Sequence, residues 1–157
     1  MGHAAGDFER DLVDRLAAFP GELERLLDGY PVDALRRPAS DGGWSVLENL
    51  CHLRDWEQVF LDRARVIVES ERPELPAYDD ALWEIEHRYG EQDPDATLKR
   101  FAELRRELVE VLAGLDADGW QREGLHALRG PIDLRWLAGY LVDHDRGHLS
   151  QIGDALH

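Results

Sequence analysis

Apolar residues recur along this chain at helical spacing. Phe8, Leu12, Leu16, Phe19, Leu23, Leu26 and Leu27 fall on one stripe with charged residues between them, which predicts a first helix over residues 7–28. Pro20 lies inside it, and the expectation there is a kink or a division into two pieces. Gly29-Tyr30-Pro31 ends the segment. Residues 32–38 predict one short helical turn, and residues 39–43 a loop by composition.

The second long helix has a readable start. Ser45 followed by Glu48 is a capping-box pattern, and Trp44 before it suits a hydrophobic staple. Leu50, Leu53, Trp56, Phe60, Ala64 and Ile67 then carry a core stripe over residues 46–70, closed by Pro73 and Pro76. A long connection follows over residues 71–80, and a short helix over residues 81–89. Asp93-Pro94 opens the third long helix, with Pro suited to its first position, and Leu98, Phe101, Leu104, Leu108, Val111 and Leu112 form its face. Residues 116–131 predict a long irregular connector. The last helix runs over residues 133–155 with Asp133 as N-cap or first-turn acid. No alternating strand pattern of useful length and no internal repeat is present. The pattern predicts one all-α domain over residues 1–157, a bundle of four long helices whose long connections permit crossovers.

Composition narrows the function classes. The net charge of -15 argues against nucleic acid and against anionic membrane surfaces, both of which need clustered Lys and Arg. No apolar run approaches the length of a membrane span. Cys51 is the only cysteine, so no internal disulfide forms; residues 1–7 show no basic region leading into an apolar stretch. Both point to a cytoplasmic protein.

The chemistry concentrates in three histidines. His144 and His148 stand four apart on the last helix, hence on one face, and Leu134, Leu137 and Leu141 run toward that face. The spacing alone admits two readings: a pair of metal ligands, or two histidines hydrogen-bonded to bundle carboxylates or water. His52, on the second long helix beside Glu48, Asp55, Trp56 and Val59, supplies a third nitrogen if the two helices are neighbours. Three imidazoles leave a coordination position for water or substrate, as in a catalytic site. The ligands alone do not name the metal. Glu48 could orient His52, although its capping role is the simpler reading. Asp143 and Asp145 flank His144 and so point away from its face; either could be a surface acid, and neither is assigned catalysis. Arg129, Arg135 and Arg146 could form a local anion site, but solvated surface arginines are the expectation. His126 could reach the site mouth or be an ordinary loop histidine. Trp44, Trp56, Trp83, Trp120 and Trp136 are expected to be mostly packing. Cys51 is expected to be a small buried hydrophobe.

At these positions the chain resembles the DinB/YfiT-like superfamily. The matching segments are Gly43-Trp44-Ser45-Val46-Leu47-Glu48-Asn49-Leu50-Cys51-His52-Leu53, Gly124-Leu125-His126-Ala127-Leu128-Arg129-Gly130 and His144-Asp145-Arg146-Gly147-His148-Leu149-Ser150-Gln151-Ile152. The resemblance implies an up-down-down-up four-helix bundle with a divalent metal (zinc, nickel or iron) held by His52, His144 and His148. It implies a homodimer, and an enzyme that activates a low-molecular-weight thiol or water for transfer or hydrolysis on a small-molecule substrate. The alternative is a non-catalytic metal- or small-ligand-binding protein, a sensor or carrier. The two separate on whether the metal-loaded protein turns over a thiol with an electrophile.

Overall fold

The computed structural model describes residues 4–157; Met1, Gly2 and His3, part of the segment read above for a leader, lie outside the described residues. The four long helices form as the apolar stripes predict: α1 (Asp7–Leu27), α3 (Val46–Glu69), α5 (Pro94–Ala113) and α7 (Leu134–Ala155). Short helical turns α2 (Val32–Arg36), α4 (Trp83–Glu86) and α6 (Ala117–Trp120) lie in the connections. The capping box is complete, with Ser45 Oγ accepting from the Glu48 amide and Glu48 Oε1 accepting from the Ser45 amide, each at 3.1 Å. Asp93 caps α5 and Asp133 caps α7 through their side chains.

Cross-helix contacts give the helix directions. Phe19 meets Phe101, and Leu16 meets Arg105, so α1 and α5 run antiparallel. Glu57 meets Arg105 and Arg65 meets Glu107, so α3 and α5 run parallel. Asn49 meets His148 and Phe60 meets Tyr140, so α3 and α7 run antiparallel. Glu9 and Glu22 on α1 pair with Arg135 and Arg146 on α7, so those two run parallel. The topology is up-down-down-up, with α1 diagonal to α3 and α5 diagonal to α7. This places α3 beside α7, the adjacency the histidine argument requires. No helix among the described residues is long and apolar enough to cross a membrane.

Three expectations change. The connector before α7 is ordered: α6, capped by Asp116, is followed by a hairpin of β2 (Glu123–His126) and β3 (Gly130–Asp133), with β1 (Glu74–Leu75) alongside β2 in parallel. Strands this short carry too few alternations to register as a period. Gly124 is where they approach closest, since a Cβ there would lie 2.8 Å from the Leu75 side chain.

The second concerns Pro20. α1 is one continuous helix through it. Proline has no N–H to offer the carbonyl four residues back, Leu16 O. Arg105 on α5 donates to that carbonyl instead, at 3.0 Å. The same guanidinium, 1% exposed, donates to both oxygens of Glu57 on α3 and both oxygens of Asp145 on α7. All five of its N–H groups are thereby used. Asp145 is therefore not a surface acid. It is buried, turned into the bundle, and joined to every other long helix through one arginine. The two carboxylates hold Arg105 charged, raising its pKa against the effect of burial.

Candidate functional site

His52 lies in the second turn of α3, His144 and His148 on the facing turns of α7. Their ring centroids stand 5.0 Å (His52–His148), 4.6 Å (His144–His148) and 6.1 Å (His52–His144) apart. One nitrogen from each ring lies within 4.8 Å of the others. The three sequence-selected histidines thus come together, at the floor of a cavity of about 320 Å³.

The neighbouring hydrogen bonds set the tautomers. Asn49 Nδ2 donates to the Ser45 carbonyl at 3.0 Å, which turns its Oδ1 toward His148. His148 Nδ1 then carries its proton to Asn49 Oδ1 at 2.9 Å, leaving a lone pair on Nε2. That lone pair faces His52 Nδ1 at 3.2 Å. On its other side, His52 Nε2 meets Asp80 Oδ2 at 2.8 Å, and the indole of Trp56 donates to the same oxygen at 2.8 Å. The indole N–H also lies 3.0 Å from His52 Nε2, shared between ring and carboxylate; since a carboxylate can only accept, the His52–Asp80 bond is made with the proton on His52 Nε2. Burial alone would raise Asp80; the hydrogen bonds from His52 and Trp56 outweigh it and keep the carboxyl below its ordinary value.

His144 has its pKa pushed down to about 3 and His148 to about 4, in both cases first by burial and then by neighbouring histidines. Both are neutral at physiological pH, the form in which imidazole binds a metal. Tyr140 stacks on His144, Phe60 packs edge-on to it, and Trp44 covers His52. The site is a small aromatic bowl with three convergent nitrogens.

The remaining candidates separate. Glu48 acts as the capping acid. Asp143 is exposed. Arg135 and Arg146 pair with Glu9 and Glu22, whereas Arg129 lies over the rings of Trp136 and Tyr140 beside a second cavity. His126 lines that second cavity and not the histidine bowl. Trp44 and Trp56 line the bowl, Trp136 the second cavity, and Trp120 is buried. Cys51 is fully buried, and burial raises its thiol to about 11, so it is no nucleophile. Asn49 and Asp80 were not singled out from the sequence. Asn49 had a usable signal, since it sits inside the motif that carries His52; Asp80, in an aperiodic loop, had none.

Fold and site together define a four-helix bundle with three histidines converging between two antiparallel helices. Residues 15–152 match the family model of the DinB superfamily, and the chain belongs to that family. Among its relatives, the Bacillus subtilis protein named "Putative metal-dependent hydrolase YfiT" is 25% identical over 141 residues, covering 89% of this chain and 79% of that one. A relative in Oceanobacillus iheyensis bearing the same description is 20% identical over 144 residues, 92% of this chain and 83% of its own length. The solved structure of B. subtilis YfiT, titled a probable metal-dependent hydrolase with an unusual four-helix bundle topology, superposes with a TM-score of 0.86. It covers 94% of this chain and 85% of that one at 24% identity, a match that speaks to the fold.

Proposed function

We propose that the protein is a metal-dependent enzyme acting on a small molecule, with His52, His144 and His148 holding one divalent ion. The observation that carries this reading is the tautomer chain: Ser45 to Asn49 to His148 on one side, and Asp80 on the other. It brings His148 Nε2 and His52 Nδ1 to 3.2 Å from each other. Both nitrogens give onto the space shared with His144, where a divalent ion would be held in place of a shared proton. Nitrogens about 2.0–2.1 Å from a tetrahedral ion stand about 3.3 Å apart, so the residues fit the group. Their softness suits zinc, nickel or iron.

When bound, such an ion supplies Lewis acidity that lowers the pKa of a coordinated water or low-molecular-weight thiol. The chain's own residues do the rest. Asn49 and Asp80 hold two ligands in the required tautomer. Trp44, Phe60 and Tyr140 exclude bulk water from the bowl, and the opening between them admits a substrate. The relatives' description as metal-dependent hydrolases supports water as the nucleophile; the thiol alternative and a homodimer rest on the family resemblance, and a cytoplasmic location on the cysteine usage and the N-terminal residues.

Elemental analysis after supplementation with zinc, nickel or iron tests the reading. It expects about one ion per chain in the wild type and loss of that ion in His52→Ala, His144→Ala and His148→Ala. Retention of metal in all three variants would refute the ligand assignment. Turnover of activated esters with and without N-acetylcysteine then separates hydrolysis from thiol transfer.

A further inference from the structure

A second cavity of about 270 Å³ adjoins the histidine bowl. Trp56, Phe60 and Tyr140 are walls of both. In a chain with 33 acidic and 18 basic residues, no acidic side chain lines this cavity. Arg63, Arg129 and His126 do. Arg63 is only 7% exposed, and its guanidinium lies 5.5–5.8 Å from the rings of Trp56, Phe60 and Tyr78. Nη2 donates to the Pro76 carbonyl at 2.8 Å, while Nε has no partner among the described residues. None of the ion pairs among the described residues involves Arg63 or Arg129. Burial lowers the pKa of Arg63, with Arg129 adding to the effect, as expected of a cation lacking a counter-ion.

His126 adds a neutral donor. Its Nδ1 accepts from the backbone amides of Leu128 and Arg129 at 3.1 and 3.2 Å, so the ring proton sits on Nε2. Burial and the two arginines hold its pKa below the ordinary value. A buried unpaired cation is costly unless something compensates it. The aromatic faces compensate in part. A ligand anion completes the compensation, and the ring walls select a flat body to accompany it.

We propose that this cavity binds the carboxylate of a flat aromatic or unsaturated organic acid. The remainder of that acid extends past Trp56, Phe60 and Tyr140 to the three histidines. The proposal rests on the metal-centre reading for the chemistry at the far end, but on the cavity alone for the acid. Tyr140 is near both ends, with the Arg129 guanidinium 5.3 Å and the His144 imidazole 6.2 Å from its ring, so one aromatic side chain links the anion end to the reacting end.

Calorimetric titration of the full chain with benzoate, benzyl alcohol and N-acetylcysteine, before and after zinc loading, tests this. Benzoate is expected to bind at least about 10-fold more tightly than benzyl alcohol. Arg129→Gln, at an exposed position, is expected to abolish that preference while leaving benzyl alcohol binding and zinc content unchanged. Arg63→Lys should weaken benzoate less than Arg63→Met; if the Met variant does not fold, the Arg129 comparison decides. Equal binding of benzoate and benzyl alcohol, no saturable benzoate binding, or a preference that survives Arg129→Gln would overturn the proposal. So would Arg129-dependent binding of N-acetylcysteine without benzoate binding, which would give the anion site to an aliphatic thiol. Benzoate selectivity without zinc binding would support the cavity and remove the metal-centre reading; zinc binding without selectivity would do the reverse.

Discussion

Arg105 and Arg63 are both buried arginines in the same bundle, and they are treated in opposite ways. Arg105 spends its five N–H groups on Glu57, Asp145 and Leu16 O, which belong to three different helices. Arg63, which lines a cavity walled by aromatic rings, keeps a buried Nε with no partner among the described residues. A buried polar group whose bonds are all made within the protein has nothing left to offer a ligand, and it orients the elements that carry it. One left short is either an uncompensated cost or half of a binding site. The histidine bowl resembles Arg63 in this respect. Its outer hydrogen bonds to Asn49 and Asp80 are complete, and its inner nitrogens converge on a shared space. Asp145 adjoins His144 in sequence, so the saturated network also sets the rotation of α7 that presents the histidines.

The largest effect should come from breaking the saturated cluster. Arg105→Met leaves two carboxylates buried without a cation and should cost about 3–5 kcal/mol, read as the shift of a urea unfolding midpoint. Replacing all three charged members by apolar residues of similar volume should return most of that loss. If Arg105→Met alone costs less than about 1 kcal/mol, the network does not hold the bundle and the contrast with Arg63 collapses.

Acid should act on the other region. His144 and His148 have folded-state pKa values of about 3 and about 4, below the ordinary value of 6.5. Below pH 6.5 the unfolded chain takes up protons that the folded chain refuses. The metal-free protein should therefore lose stability as pH falls from 6.5 toward 3, by about 1.4 kcal/mol per pH unit for each proton taken up. His144→Ala and His148→Ala should each flatten that slope. An unchanged slope in both variants would show that the two imidazoles are not held neutral by the fold.

Smaller effects should follow from the outer bonds of the bowl. Asp80→Ala frees His52 Nε2 and should weaken zinc affinity about 10–100-fold with little change in thermal stability, because Asp80 lies in a connecting loop. Zinc affinity unchanged within error would mean that the carboxylate does not orient His52.

How much of this could be read from the sequence follows from where the information sits. The four helices announce themselves by period, and their starts by Ser45, Asp93 and Asp133, because capping and apolar spacing are local effects. The three histidines were legible because two share a helical face and the third lies in a capped helix. The burial of Asp145 is not legible locally, because its neighbour His144 marks only one of the faces that matter. Around α7 the bundle has two buried faces, one toward α3 and one toward α1 and the Arg105 side chain, and adjacent residues serve one each. Arg63 and Asp80 were invisible for a related reason. What makes them matter is a partner missing or present far along the chain, and no local pattern encodes that.

Pro20 carries the same lesson and gives the finest test. Local rules predict a break, since proline inside a helix costs about 3 kcal/mol relative to alanine. The helix is nevertheless continuous, and the orphaned Leu16 carbonyl is occupied by Arg105. Pro20→Ala restores an intrahelical donor to that carbonyl, but it also competes with Arg105 and loosens the unfolded chain. The net gain should therefore be under about 1 kcal/mol. A gain approaching the full value for an exposed helix interior would show that the arginine does not stand in for the missing amide. In that case the completeness of the Arg105 network would rest on its carboxylates alone, and α1 would be held by packing of Leu16 and Phe19 with no polar tie to the other three helices at that level.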